Sequence, residues 1–282
     1  MRLFFLILIA IGAISTASIF VKLCDAPALI IAAYRMGLVS LLLLPYAGYR
    51  GIWKGLRRQD IGWLAISGLF LGFHFAFWIA SLKYTSVASS VVLVTSHPVL
   101  VGLGASLFLD EPLRRSLVLG IVLSVSGGII IGCGDMAISQ KTLMGDVLAL
   151  LGAVSVSGYL LVGRKMRQDQ NLIAYIFPVY LTAGLVLIFL CLILRQPFFG
   201  YSPSTYLWLL LLAVVPQLIG HTIFNWALKY LPAAIIAITI LGETIGSTAL
   251  AYLILGEGLT IWKVLGGVLI FSGILVAAAR RI

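Results

Sequence analysis

The chain has 282 residues, of which 62% are hydrophobic and only 10% charged, with a mean hydropathy of +1.15. Soluble domains keep roughly 25% charged residues to stay solvated, so a water-soluble globular protein is excluded and lipid is the main solvent. The net charge of +10 does not point to nucleic acid, because the Lys and Arg residues lie between apolar runs and form no patch on a folded surface.

The apolar runs in chain order are Leu3–Cys24, Pro27–Tyr46, Ile61–Leu82, Thr85–Leu109, Ser116–Cys133, Met144–Val162, Leu172–Leu194, Tyr206–Leu228, Leu231–Leu255 and Leu259–Ala279. Each reaches about 18 residues or more, near the length that crosses some 30 Å of hydrocarbon at about 1.5 Å per residue. The sequence therefore predicts an all-α integral membrane protein of ten transmembrane helices joined by short turns. Arg2 and the small residues Ser15–Ser18 give the first run some look of a signal peptide. Its hydrophobicity continues to Leu23, so a retained helix is expected.

With ten spans, both termini and the even-numbered connections share one face. That face carries Arg2, Arg50, Lys54, Arg57, Arg58, Arg114, Arg115, Arg164, Lys165, Arg167, Lys229, Arg280 and Arg281. The opposite face carries Lys22, Lys83, Lys141, Arg195 and Lys263. The positive-inside rule then puts both termini in the cytoplasm, with a bacterial cytoplasmic membrane as the expected home. Cys24, Cys133 and Cys191 lie in or at the ends of apolar runs without C-x-x-C spacing, which reads as packing.

One stretch occurs twice. Leu82–Gly127 and Leu228–Gly273 superimpose without a gap at a shift of 146 positions, matching Lys83 with Lys229, Tyr84 with Tyr230, Glu111 with Glu257, Gly120 with Gly266, and Ser126-Gly127 with Ser272-Gly273. The opening helices match more weakly, through Gly12-Ala13-Ile14-Ser15 and Gly152-Ala153-Val154-Ser155. The expected organisation is a first five-helix repeat at 1–134, a linker at 135–143 and a second five-helix repeat at 144–282. Two copies of an odd-helix unit insert with opposite orientations, and inverted repeats let the halves exchange conformations, which suits alternating access.

The ends of both repeats carry a family resemblance. Leu109-Asp110-Glu111-Pro112-Leu113 precedes Gly120 and Gly127, and Leu255-Gly256-Glu257-Gly258-Leu259-Thr260 precedes Gly266 and Gly273. With His97-Pro98 in the fourth span, the chain resembles ten-helix carriers of the EamA type in the drug/metabolite transporter superfamily. Glu243-Thr244, at the equivalent place, keeps an acid but lacks the proline, which leaves the bend of the ninth helix open. The resemblance implies fold and a carrier function, but no substrate.

Lys83-Tyr84 and Lys229-Tyr230 read as interfacial anchors. Glu111 and Glu257 are expected to cap the start of the helix that follows each. Glycines seven apart, Gly120 with Gly127 and Gly266 with Gly273, read as sites of close helix contact within one protomer or between two, so a homodimer is one possibility.

Ionisable groups deep in the spans are the informative ones, since a charge at a helix centre costs about 2.5–3.5 kcal/mol to insert. Glu243 and His97 lie at midplane depth and at equivalent positions of the repeats, so they are expected to face each other. His74 and His221 occupy nearly equivalent positions in the third and eighth spans. Gln217, His221 and Asn225 are spaced as one helical stripe, as are Thr239, Glu243 and Ser247, His74 and Trp78, and Ser155 and Tyr159. These stripes imply a shared polar cavity, with Trp78 and Tyr159 either its wall or apolar filler. Arg35, eight residues past Pro27, either snorkels to the outer surface, which its length favours, or pairs with a substrate carboxylate.

These residues suit an amine, a zwitterion such as an amino acid, or proton antiport, and the reading is a metabolite exporter without a cofactor. Its partners are a small-molecule substrate, the lipid bilayer and protons as a coupling ion. Phosphorylated sugars fit poorly, because a dianion needs several cavity Lys or Arg and only Arg35 is available. An uncoupled facilitator is the nearest alternative. A membrane-embedded enzyme lacks any H-E-x-x-H, G-x-S-x-G or C-x-x-C, and a structural subunit needs neither midplane charge nor inverted repeat.

Overall fold

Proline, back-bonding hydroxyls and local i−3 bonds decide where these apolar runs break. The structure, a computed structural model, describes residues 2–52, 57–133 and 140–278. Lys54, Arg280, Arg281 and most of the expected linker lie outside the described residues, as do the side chains of Arg2, Cys133 and Lys141. The helices are α1 Arg2–Ser15, α2 Ala17–Leu23, α3 Ala28–Tyr49, α4 Arg58–Ser81, α5 Val87–Val94, α6 Pro98–Phe108 and α7 Arg115–Cys133. They continue as α8 Gln140–Asp169, α9 Leu172–Ile193, α10 Pro203–Leu212, a π-helical segment Ala213–His221, α11 Thr222–Ala227, α12 Ala233–Ile240, α13 Gly242–Leu255 and α14 Ile261–Ala278. Among the described residues, eight helical stretches are long and apolar enough to cross a bilayer, and two shorter apolar helices, Arg115–Ile130 and Ile261–Ala277, complete the ten.

Four spans are broken, each for a local reason. In the first, Ser15 and Thr16 hydroxyls bond back to Ile11 O (2.7 Å) and Ala13 O (2.8 Å), competing with the backbone ladder. In the fourth, Pro98 has no N–H for the carbonyl of Val94, and the His97 imidazole takes that carbonyl instead through Nδ1 at 3.0 Å. The ninth breaks at Leu241 without a proline, through two i−3 bonds, Leu241 N to Ile238 O (3.1 Å) and Thr244 N to Leu241 O (3.0 Å). The proline that the resemblance leads one to seek is therefore not needed for the bend. In the eighth, Pro216 lies inside the π-helical segment, a feature that recurs at functional sites.

Spans two and seven pack on each other as α3 on α9, and spans five and ten as α7 on α14. Each of these pairs joins a helix to the one five spans later in the chain. The α7–α14 contact is a backbone contact, since a Cβ at Gly127 would lie 2.5 Å from Gly266 O and one at Gly120 would lie 2.8 Å from Gly273 O. Small residues replace apolar burial here because lipid tails give helices no hydrophobic reason to associate. The glycine pairs are thus consumed inside one chain. The outer surface is apolar, with Phe4, Leu107, Leu253 and Phe271 more than half exposed, as a lipid-facing belt demands.

Glu111 departs from its expected role. Its carboxylate caps a helix, but that helix is α12 of the other half, through Ala233 N at 3.0 Å, and not α7, which follows it in sequence. It also forms an ion pair with Arg164 at 2.6 Å. Arg167, expected in a solvated connection, is buried within α8 and donates to Asn225 O at 2.9 Å and to Gln170 O.

Candidate functional site

The three helix breaks and the π-helical segment converge on one cavity of about 30 Å³, lined by Ile14 and Ala17, Thr95 and His97, Ile240 and Glu243, and His221. Arg35 from α3 and His74 and Trp78 from α4 complete its polar wall. A broken helix puts unpaired backbone and polar side chains at membrane depth, which lipid tolerates only where they face protein or a cavity. The breaks of the fourth and ninth spans also touch directly, as Thr95 Oγ1 and Thr244 Oγ1 are 3.1 Å apart.

Arg35 does not snorkel. It is 1% exposed, its Nε donates to Gln217 Oε1 at 2.9 Å, and its guanidinium sits 4.0 Å above the Phe75 ring centre. The planar guanidinium permits this: it stacks on the aromatic face while its edge donates sideways. Its Nη1 has no partner, although it is buried. Glu243, in the first turn of α13, shares the cavity and interacts electrostatically with Arg35, without a direct ion pair among the described residues. One basic and one acidic group therefore stand apart in a single low-dielectric space.

His97 and Glu243 do line the same cavity. Because the Val94 carbonyl can only accept, His97 Nδ1 carries the hydrogen, so the neutral ring presents Nε2 as an acceptor, buried and without a partner. His74 is held the same way, with Nδ1 3.0 Å from Gly152 O, and stacks parallel to Trp78 at 6.1 Å. Trp78 Nε1 is a buried donor without a partner. His221 lines the cavity and meets Phe75 edge to face at 5.5 Å.

The stripe expected of Gln217, His221 and Asn225 splits, because the first two stand in π-helical backbone. Gln217 holds Arg35, and only His221 of the three reaches the cavity wall. Asn225 and Tyr159 form a buried network that does not line the cavity. Tyr159 Oη donates to Asn225 Oδ1 at 2.8 Å, and Asn225 Nδ2 reaches Tyr180 Oη at 3.1 Å. Thr95, Phe75 and Tyr180 belong to this region and were not singled out from the sequence. Thr95, two residues before His97-Pro98, had a usable signal, while Phe75 in an apolar helix had none.

Comparison with known proteins agrees with this architecture. The model of the EamA-like transporter family matches residues 1–133 and 143–279. An uncharacterized transporter of Archaeoglobus fulgidus is 27% identical over 259 residues, covering 89% of this chain and 88% of that protein. The uncharacterized transporter YyaM of Bacillus subtilis is 24% identical over 256 residues, covering 88% of this chain and 83% of its own length. One solved crystal structure superimposes with a TM-score of 0.80 over 99% of this chain and 96% of the other, at 19% identity, a likeness of fold alone. From these matches, spanning both halves, the chain belongs to the EamA-like transporter family.

Proposed function

We propose that the protein is a secondary carrier that moves a small organic zwitterion or amine, an amino acid in the simplest case, out of the cytoplasm by alternating access. The observation that carries this is the separated pair in one cavity, Arg35 with a free Nη1 donor and Glu243 with a carboxylate that no direct ion pair occupies. A substrate carboxylate would take Arg35 and Trp78 Nε1, and a substrate ammonium would take Glu243. Phe75 and Trp78 supply an apolar wall beside them. The two charges cost less in the membrane when each is paired, so a zwitterion is favoured over a simple anion.

The cavity has room for a water or two but not for a metabolite, given that about 10–15 Å³ of probe-occupied volume holds one water. Loading then requires the broken helices to move, and breaks at α5–α6 and α12–α13 are natural hinges for that motion. Glu243 with His97 would let a proton take the place of the substrate cation, making the carrier an antiporter.

The test is uptake of labelled amino acids and amines by purified protein in liposomes, with and without a pH gradient. Glu243→Gln keeps shape and hydrogen bonding but removes the charge, and is expected to abolish pH-driven transport while the protein still folds. Unchanged pH-driven transport would remove the coupling and leave a facilitator. No transport of any such solute by the parent protein would remove the carrier reading.

A further inference from the structure

The loops that end spans four and nine are built alike and behave differently. Asp110 (φ 53) and Gly256 (φ 69) stand at equivalent positions, both left-handed. Glu111 N donates to Ala105 O and Glu257 N to Ala251 O, each at 3.2 Å. Equivalent backbones thus present Glu111 at one membrane face and Glu257 at the other.

On its face, Glu111 is fully engaged. Oε1 holds Arg164 Nε at 2.6 Å and Oε2 caps Ala233 N at 3.0 Å, while Arg164 Nη1 donates to Leu228 O at 2.7 Å. Spans four, six, eight and nine are tied together by one carboxylate and one guanidinium. On the other face Lys22, near the end of the first span, donates to Thr85 O at 3.1 Å, in the turn equivalent to Leu231. Glu257 is the acid whose charge acts on Lys22, yet the two form no direct ion pair among the described residues. The equivalent of Ala233 is Val87, where Ser86 caps α5 through Ser89 N at 3.1 Å. Pro232 stands where Ser86 would be and has no hydroxyl, so α12 draws its cap from Glu111.

We propose that Glu111 and Arg164 form a latch that holds their face of the protein closed, and that Glu257 and Lys22 are its counterpart, joined only when the opposite face closes. This rests on the alternating-access reading above. Halves that exchange conformations must exchange contacts, so a bond made at one face belongs with its mate unmade at the other. The asymmetry of partners sets a resting preference. Arg binds carboxylate and carbonyls through a fixed fork, whereas Lys is a point charge and its helix α5 caps itself. The latched Arg164 face is therefore the resting state, and by the distribution of charge that face is the cytoplasmic one.

The test uses full-length protein in oriented liposomes, its three native cysteines replaced by Ser and one Cys placed at cavity residue Ala17. A membrane-impermeant thiol reagent added from either face gives the ratio of labelling rates. Glu111→Gln is expected to raise that ratio about tenfold toward the Arg164 face, a shift of about 1.4 kcal/mol. Arg164→Gln is expected to do the same, and the double variant no more than either alone, because the pair acts as one contact. Lys22→Gln is expected to move the ratio the other way. Arg164→Lys, which keeps the charge and loses the fork, should fall between parent and Arg164→Gln, and serves where Arg164→Gln folds poorly. Unchanged ratios in protein that still transports overturn the latch and leave the carrier standing. Additive effects of Glu111→Gln and Arg164→Gln also overturn it. A parent protein that transports nothing overturns the carrier reading, and the latch with it.

Discussion

Gly127→Ala adds a single methyl group to the close backbone contact between α7 and α14. The new carbon would lie 2.5 Å from Gly266 O, 2.9 Å from Ile270 N and 2.9 Å from Leu269 Cβ. An ordinary Cα–H···O contact has about 3.3–3.6 Å between carbon and oxygen, so α7 and α14 must separate by roughly an ångström. None of the three atoms is the tip of a flexible side chain, so none can swing aside. Overpacking of this kind costs about 1–3 kcal/mol, with no hydrophobic gain to offset it in lipid. Gly12→Ala is the matched control, since a Cβ there meets nothing within 4 Å and Ala favours a helix over Gly by about 0.8–1.0 kcal/mol. The propensity gain is common to both substitutions and cancels, so the two variants are expected to differ by the overpacking cost, roughly 1–3 kcal/mol, with Gly127→Ala the less stable. Apparent melting temperature in detergent reads this, with Gly127→Ala several degrees below Gly12→Ala. Equal melting of the two would refute the tight backbone contact. Gly120→Leu and Gly266→Leu, with larger side chains, should lower the yield of folded protein.

Asn225→Ala leaves the buried hydroxyls of Tyr159 and Tyr180 short of a partner, at about 1–3 kcal/mol for each; melting in detergent should fall accordingly, and an unchanged melting temperature would mean the network rearranges without loss. Arg35→Lys keeps the charge but gives up the stacked, planar geometry over Phe75. Its apparent affinity for a carboxylate-bearing substrate should drop at least tenfold in liposomes, and an unchanged value would place the substrate elsewhere. Cys24 is buried at the end of the first span, out of reach of an aqueous reagent in the folded protein. Maleimide should label Cys24 only after denaturation, and fast labelling of folded protein would contradict its burial. Single cysteines at Arg57 and Arg195 test orientation in intact cells: an impermeant reagent should reach Arg195→Cys and not Arg57→Cys, and the reverse pattern would invert the topology.

The sequence alone determined that the chain is an all-helical membrane protein, because ten apolar runs of bilayer length in a chain this poor in charge leave no other solvent. It also made a set of residues conspicuous: Arg35, His74, His97, His221 and Glu243 stand out because ionisable groups are costly at that depth, and all five line one cavity. Tertiary structure decided what local patterns cannot carry. Regular α-helical spacing predicted one stripe for Gln217, His221 and Asn225, but Pro216 lies in a π-helical stretch that changes the angle between them. Arg35 looked free to snorkel because its span says nothing about Gln217 and Phe75, which lie far along the chain and approach only when the spans pack. Glu111 looked like a cap for its neighbour in sequence, whereas the free N–H it satisfies, Ala233 N, belongs to the other half. Periodicity and composition record how each helix meets lipid. Which polar group meets which across the interior depends on the packing of helices that are distant in sequence, and that only the folded chain decides.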